Sequence, residues 1–201
     1  MIDNVIFQIN DLPSIEEIRK KAQALALLDA ILIPNWEFRY FSFNNNWDGN
    51  KTEALASMRD GSGEEYFILF SRNGVIGKVL TKNKVQNSVQ LLEAVPESFS
   101  SFKNEPAFSL SNITFLFWRE IEDKNWNSIP NNLNAYPLLK FLTESSSFYH
   151  SWVEDYCEKK IDFNSIDKVF NSHKITPELL LVLNHNLSIE DLHDDLNEIL
   201  D

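Results

Sequence analysis

Residues 53–80 read EALASMRDGSGEEYFILFSRNGVIGKVL, and the alternation inside this stretch decides the fold. Asp60-Gly61-Ser62-Gly63 and Arg72-Asn73-Gly74 are turn chemistry, because glycine and asparagine accept the backbone that tight hairpins need. The turns divide the stretch into strands at 53–59, 65–70 and 75–80, an antiparallel meander. A four-residue loop pairs Arg59 with Glu64 as opposite charges, and then sets Leu55 opposite Ile68 and Ala56 opposite Phe67. In the middle strand Tyr66, Ile68 and Phe70 point one way, and Phe67 and Leu69 the other. Apolar side chains on both faces mean a central strand covered on both sides, so helices must lie on at least one of them.

Outward from the meander, Ser14 and Glu17 form a capping box for a first helix carrying Ile15, Ile18, Ala22, Leu25 and Leu28. Pro34 sets its latest end. A strand is expected at 38–43, then a polar loop at 44–51 that holds Trp47. Beyond the meander come a short helix opening at 95–99, a strand at 113–119, and a polar loop at 120–134 that holds Trp126. The rest reads as helices. Phe148, Tyr149, Trp152, Val153 and Tyr156 share one face, and Asp162 caps a second helix. Pro177 opens a third, and Ser188 with Asp191 caps a last one carrying Ile189, Leu192, Leu196 and Ile199. The expected class is α+β, an antiparallel meander sheet covered by helices over residues 1–145. A helical C-terminal segment, 146–201, packs on it as an appendage or as part of one single domain.

Composition bounds the function. Lys+Arg 18 against Asp+Glu 30 leaves a net charge of -12, of which residues 1–100 carry -3 and residues 101–201 carry -9. Such a chain repels phosphate backbones, so no nucleic-acid partner is expected; the basic run Arg19-Lys20-Lys21 reads as a solvated helix face. Hydrophobic residues at 43% and 15 phenylalanines supply a core large enough to fold without disulfide or metal. The single cysteine, Cys157, excludes an intramolecular disulfide. The start Met1-Ile2-Asp3-Asn4 lacks the basic and apolar runs of a signal peptide, and Ala22–Ile33 is too short to span a bilayer. The expectation is therefore cytoplasmic, with no membrane partner. Nothing in the sequence selects an oligomeric state.

No glycine-rich phosphate loop, nucleophile elbow or His-Glu-x-x-His spacing occurs. Gly61-Ser62-Gly63 leads from strand to strand, which is hairpin geometry and not a cradle opening a helix. His150, Glu154 and Cys157 follow at helical spacing, but the first two lie on the polar side and the thiol at the edge of the aromatic face. They are read as an exposed pair beside a half-buried thiol, so no metal, cofactor or catalytic residue is assigned. An alternative keeps a hydrolase in view, using the carboxylates of Glu53, Asp60, Glu64 and Glu65.

Two features point to interaction. Trp47 and Trp126 lie in asparagine-rich loops, either as contact residues or folded back as lids on the core. Residues 176–201 hold seven acids and no Lys or Arg. Within them Asp194, Asp195 and Glu198 are read as lying past the first turn of the last helix, where folding has no use for them. They suit a basic protein partner, whose encounter the charge would accelerate.

Residues 53–70, together with Val95–Phe99, Glu105–Ser109, Phe117–Arg119, Ile175–Leu179 and Leu187–Leu192, resemble a bacterial family of cytosolic proteins without an assigned activity. The resemblance therefore implies no catalytic residue. In character, a small acidic α+β chain is also similar to the immunity proteins of bacterial toxin systems. The functional expectation is a non-enzymatic protein-binding module, an immunity-type inhibitor of a basic toxin domain. The alternatives are the hydrolase and a regulatory or structural adaptor.

Overall fold

The two apolar faces of the middle strand demand two covering layers, and the computed structural model supplies both. It describes residues 8–82, 86–130 and 137–201. Strands β1 (Phe41–Asn44), β2 (Ala54–Arg59), β3 (Glu65–Ser71), β4 (Gly74–Leu80), β5 (Phe115–Glu120) and β6 (Asn127–Ile129) form one antiparallel sheet in chain order. The helices are α1 (Ile15–Leu32), α2 (Ser88–Glu93), α3 (Ser100–Lys103), α4 (Lys140–Thr143), α5 (Ser146–Tyr156), α6 (Phe163–Ser172), α7 (Pro177–Leu183) and α8 (His193–Leu200). The fold is α+β. None of the described helices is long and apolar enough to cross a membrane.

The inner face of the sheet carries Phe41, Phe43, Ala56, Met58, Tyr66, Ile68, Phe70, Val79, Phe115 and Phe117. It packs against α1, which in turn touches α4, α6, α7 and α8. Ser14 caps α1 by accepting from Glu17 N while Glu17 Oε2 accepts from Ser14 N. From Ala24 to Leu32 every residue of α1 is buried, as a helix walled in by a sheet and other helices must be. The C-terminal helices thus share one core with the sheet. The outer face carries Leu55, Phe67, Leu69, Ile76, Leu116 and Trp118 under α2, α3 and the turns around Phe99 and Phe108.

The strands of the meander lie where the turn chemistry puts them, but the register between the first two differs by one residue. Arg59 pairs with Glu65, Leu55 with Leu69 and Ala56 with Ile68. The loop has five residues. Asp60 N donates to Glu64 O, and Asp60 Oδ1 accepts from Ser62 N and Glu64 N, so the hairpin closes on residues 60–64. Gly61 and Gly63, at φ +67° and +99°, supply the left-handed turns that this closure needs. With this register Leu55 and Leu69 share the outer face, and Ala56 and Ile68 the inner one.

Three boundaries also move. Trp36–Phe38 is a turn of 3-10 helix, so the first strand starts at Phe41. The stretch expected to be all loop holds β6 at Asn127–Ile129; its remainder at 131–134 lies outside the described residues. Ser188 and Asp191 do bond reciprocally, yet residues 189–192 form turns and the last helix starts at His193.

Gly77 on β4 stands opposite Phe117 on β5, and the Phe117 ring lies over it. A Cβ there would come within 2.4 Å of two ring atoms. Phe117 is fully buried and packed in the inner core. Gly77→Ala should therefore lose ~1–3 kcal/mol in urea unfolding, the usual range for overpacking. An unchanged midpoint would show that the ring can give way.

One carboxylate lies inside this core. Asp29 of α1 is 0% exposed. Its Oδ2 accepts from Tyr40 N at 2.8 Å and Phe41 N at 2.9 Å, and its Oδ1 accepts from the Tyr149 hydroxyl at 2.8 Å. Burial pushes this carboxyl up to about 7, with the Phe41, Tyr149 and Tyr40 donors pulling the other way. The folded pKa therefore lies above the unfolded one, so the folded state takes up the proton more readily. Its contribution to stability is greatest below about pH 4, falls through the window up to about 7, and is flat beyond. The span is of order 4 kcal/mol.

Asn at this position can accept both backbone N–H groups with its one oxygen and donate its amide to Tyr149 Oη, as a protonated Asp29 would. Asp29→Asn should therefore fold, and the stability of the parent relative to it should decline by a few kcal/mol between pH 5 and 8. Urea titrations of the two proteins at both pH values check this; a constant difference would refute it. Asp29→Ala, which strands three buried donors, should cost more than Asp29→Asn at every pH.

Candidate functional site

Among the described residues, the outer helical layer does not reach the β1 end of the sheet. There a cleft of about 470 Å³ lies over the outer face and continues round the β1 edge to Ala26, Phe43 and Ile199. Its floor is Ser42 of β1, Ser57 and Arg59 of β2, and Phe67 of β3. Trp47, Leu55 and Ala107 also line it, as do Trp36, Glu37 and Arg39 and, from α8, Asp195 and Glu198.

Helix α8 is placed here by the free edge of β1. An edge strand presents unpaired backbone groups and has to be covered. Phe41 N is taken by Asp29, and Asn45 N donates to Glu198 O at 2.8 Å. Arg39 donates to Asp195 Oδ1 at 2.5 Å and to Oδ2 at 3.0 Å, and also to Ile33 O and Pro34 O. Asn44 Nδ2 donates to Glu198 Oε1 at 3.2 Å, and Lys51 Nζ to Asp201 O at 2.7 Å. The helix therefore runs beside β1 in the same direction.

Three of the five interaction residues read from the sequence meet in this cleft. Trp47 is half-buried, its ring stacked on Phe108 with centroids 6.1 Å apart. Asp195 and Glu198 form part of the α8 wall. Asp194 is exposed on the same helix but does not line the cleft. Trp126 is elsewhere: it precedes β6 at the opposite edge of the sheet and is only 5% exposed. Its indole N–H donates to Pro13 O at 3.0 Å, and its ring lies 5.9 Å from Phe117. Of the two readings of Trp126, contact residue or lid folded back on the core, its burial matches the lid.

The view that folding has no use for Asp194, Asp195 and Glu198 is corrected. Asp194 and Asp195 lie in the first turn of α8, where acids complement the helix dipole, and Asp195 holds Arg39. Partial burial raises the Glu198 carboxyl, and Asp195 beside it raises it further. The sequence reading missed Trp36, which is 68% exposed, and also Glu37, Arg39, Ser42, Ser57 and Arg59. Trp36 directly follows the Pro34-Asn35 helix stop, which was its only signal.

The carboxylates of the hydrolase alternative are dispersed. Glu53 lies at the start of β2 and accepts from Ser101 Oγ at 2.6 Å; Glu64 lies past the other end and accepts from Lys82 N at 3.1 Å. The six residues of β2 separate them by ~20 Å. Glu65 is ion-paired to Lys78 at 2.8 Å, and Asp60 is tied into its own turn. His150 Nε2 bonds to Ile161 O, and Glu154 to Lys160 and Ile161 N. The Cys157 thiol is half-buried, and burial pushes it up. Among the described residues no group of three or more His, Cys, Asp or Glu could hold a metal ion.

No protein-family model, curated protein or solved structure matches this chain.

The two neighbouring aspartates should separate cleanly. Asp195→Asn leaves the Arg39 guanidinium, only 13% exposed, without its carboxylate, and should lower stability by ~1–2 kcal/mol. Asp194→Asn should change it by less than ~0.5 kcal/mol, as for an exposed side chain. Chemical denaturation of the two variants checks the order; equal effects would mean that the ion pair contributes nothing.

Proposed function

We propose that this chain is a non-enzymatic protein-binding module, an immunity-type inhibitor that docks a basic domain against α8 and the rim of the cleft. The observation that carries this reading is the pairing of exposed aromatic rings with acids on one side of the molecule. Trp36 is 68% and Phe38 58% exposed, in a chain whose other large aromatics are mostly buried. Glu37 sits between them in the chain, and Trp36, Glu37, Asp195 and Glu198 all line the cleft. Asp194, Glu190 and Asp191 continue the acidic surface along the tail. Exposed indole and phenyl rings hold lysine and arginine side chains through their faces, and neighbouring carboxylates steer and pair them. The net charge of -12 extends that steering over a Debye length.

The test uses two variants that leave the Arg39–Asp195 pair in place. Glu190→Gln/Asp194→Asn/Glu198→Gln removes charge, and Trp36→Ala/Phe38→Ala removes the rings. With the parent chain as bait at low salt, a basic protein should be retained and should be lost from both variants. Its on-rate should fall about tenfold for the charge variant, with a flatter salt dependence. A partner bound equally by parent and variants, or an acidic one, would defeat the reading.

A further inference from the structure

The floor of the cleft differs in chemistry from its acidic rim. We propose that it is a binding site for a carboxylate carried on a flat apolar group. Arg59 ends β2 on the open part of the outer face. Its guanidinium lies over the Phe67 ring, 4.8 Å from the centroid, a cation–π contact that holds it against the sheet. Among the described residues it has no carboxylate within ion-pair distance. The nearest candidates in sequence are already engaged. Glu65, its cross-strand partner, is bound to the buried Lys78, and Asp60 accepts from Ser62 and Glu64 within its own turn.

Two residues along the same face, ~7 Å away, Ser57 Oγ meets Ser42 Oγ at 2.6 Å. In such a pair one hydroxyl donates to the other, and the acceptor keeps a proton that no other described group takes up. The floor thus offers an open guanidinium fork and a spare O–H donor, with no acceptor competing for either. That is the complement of a carboxylate, which Arg binds in the fork and a hydroxyl can orient. Trp36 and Trp47 both line the cleft and provide flat surfaces for an attached ring.

The negative groups of the cleft do not cancel this seat. Asp195 is neutralised by Arg39, and Glu198 stands at the Asn44 end, four residues along β1 or ~13 Å from the Tyr40 end where Arg59 pairs. Glu37 lines the cleft but is exposed, so water screens its charge. The volume, about 470 Å³, is of the size that encloses a small ligand or a chain end. The chemistry has two sources: a free aromatic carboxylic acid, or the terminal carboxylate of a polypeptide ending in an aromatic residue. This site does not depend on docking of a basic partner, because Arg59, Ser42 and Ser57 are not acids of α8.

Titration calorimetry with N-acetyl-tryptophan and with N-acetyl-tryptophan amide tests it on the whole chain. The acid should bind about tenfold tighter than the amide to the parent. Arg59→Gln should remove that preference, and Trp36→Ala should weaken both ligands several-fold. Arg59 is exposed, so the variant should unfold at the parent's urea midpoint, which is measured alongside. A pentaalanine-tryptophan peptide with a free terminus is the second arm. Tighter binding of the peptide than of N-acetyl-tryptophan supports a polypeptide end as the occupant, and weaker binding supports a free acid. Equal affinity for acid and amide, a preference that survives Arg59→Gln, or no saturable binding up to on the order of 10 mM overturns the proposal.

Discussion

Asp29 sits inside a helix that is otherwise apolar from Ala24 to Leu32, and its carboxylate must find donors without leaving the core. It finds them in Tyr40 N and Phe41 N, which are donors that an edge strand leaves unpaired, and in the Tyr149 hydroxyl of α5. One side chain thereby fixes the height of β1 against α1 and the position of α5 against both. An unpaired buried carboxylate or a bare strand edge would each destabilise the fold, and each here satisfies the other. The first residues of β1 are held by this bond, and the far end by α8. The path of the chain between Leu32 and Asn45 follows from those two attachments.

The open shelf of sheet is a consequence of the same arrangement. The outer layer is built by α2, α3 and the turns around them, which enter after β4 and leave before β5. Phe99, Phe102 and Phe108 settle over β3, β4 and β5, and Trp47 closes the margin by stacking on Phe108. Among the described residues of that segment only Ala107 lines the cleft with Ser42, Ser57 and Arg59. These positions are polar where the covered positions of the same strands, Leu55 and Leu69, are apolar. Ser42 and Arg59 are exposed and polar, Ser57 is buried but bonded to Ser42, and Lys78, buried beneath the outer layer, takes Glu65 and leaves Arg59 without an ion pair among the described residues.

How much of this was legible in the sequence depended on the range of the interactions. The helix start at Ser14 and the strands flanking Asn73-Gly74 are local, and both stand as read. The register of β2 on β3 was misread because Asp60 bonds across its turn and adds a fifth residue to the loop, a choice that spacing alone does not reveal. Phe38, Tyr40 and Phe41 look like one strand in sequence, but Phe38 belongs to a 3-10 turn and stays exposed. Trp126 looked like a surface residue because its neighbours are polar. Its partner, Pro13 O, is more than a hundred residues away. The site shared this difficulty. Trp36, Arg59 and Asp195 are brought together only by the edge of β1, and Trp47, Asp195 and Glu198 were singled out by type and not by any sign that they meet.

The acids of α8 show why charge in this chain cannot be assigned wholly to folding or wholly to binding. Asp195 has a bidentate partner in Arg39, whose remaining donors hold Ile33 O and Pro34 O just past the end of α1. Asp194, one residue earlier, points to water and makes no ion pair among the described residues. Glu198 is intermediate: its amide partner Asn44 anchors it, yet burial and Asp195 raise its carboxyl, so its charge is disfavoured alone and a cation beside it would relieve it. Neutralising all three together would therefore perturb the helix as well as the surface. Only substitutions that spare Asp195 report on the surface alone, and a helix anchored on the cleft side by Asp195 and Glu198 leaves Asp194 for solvent or for a partner.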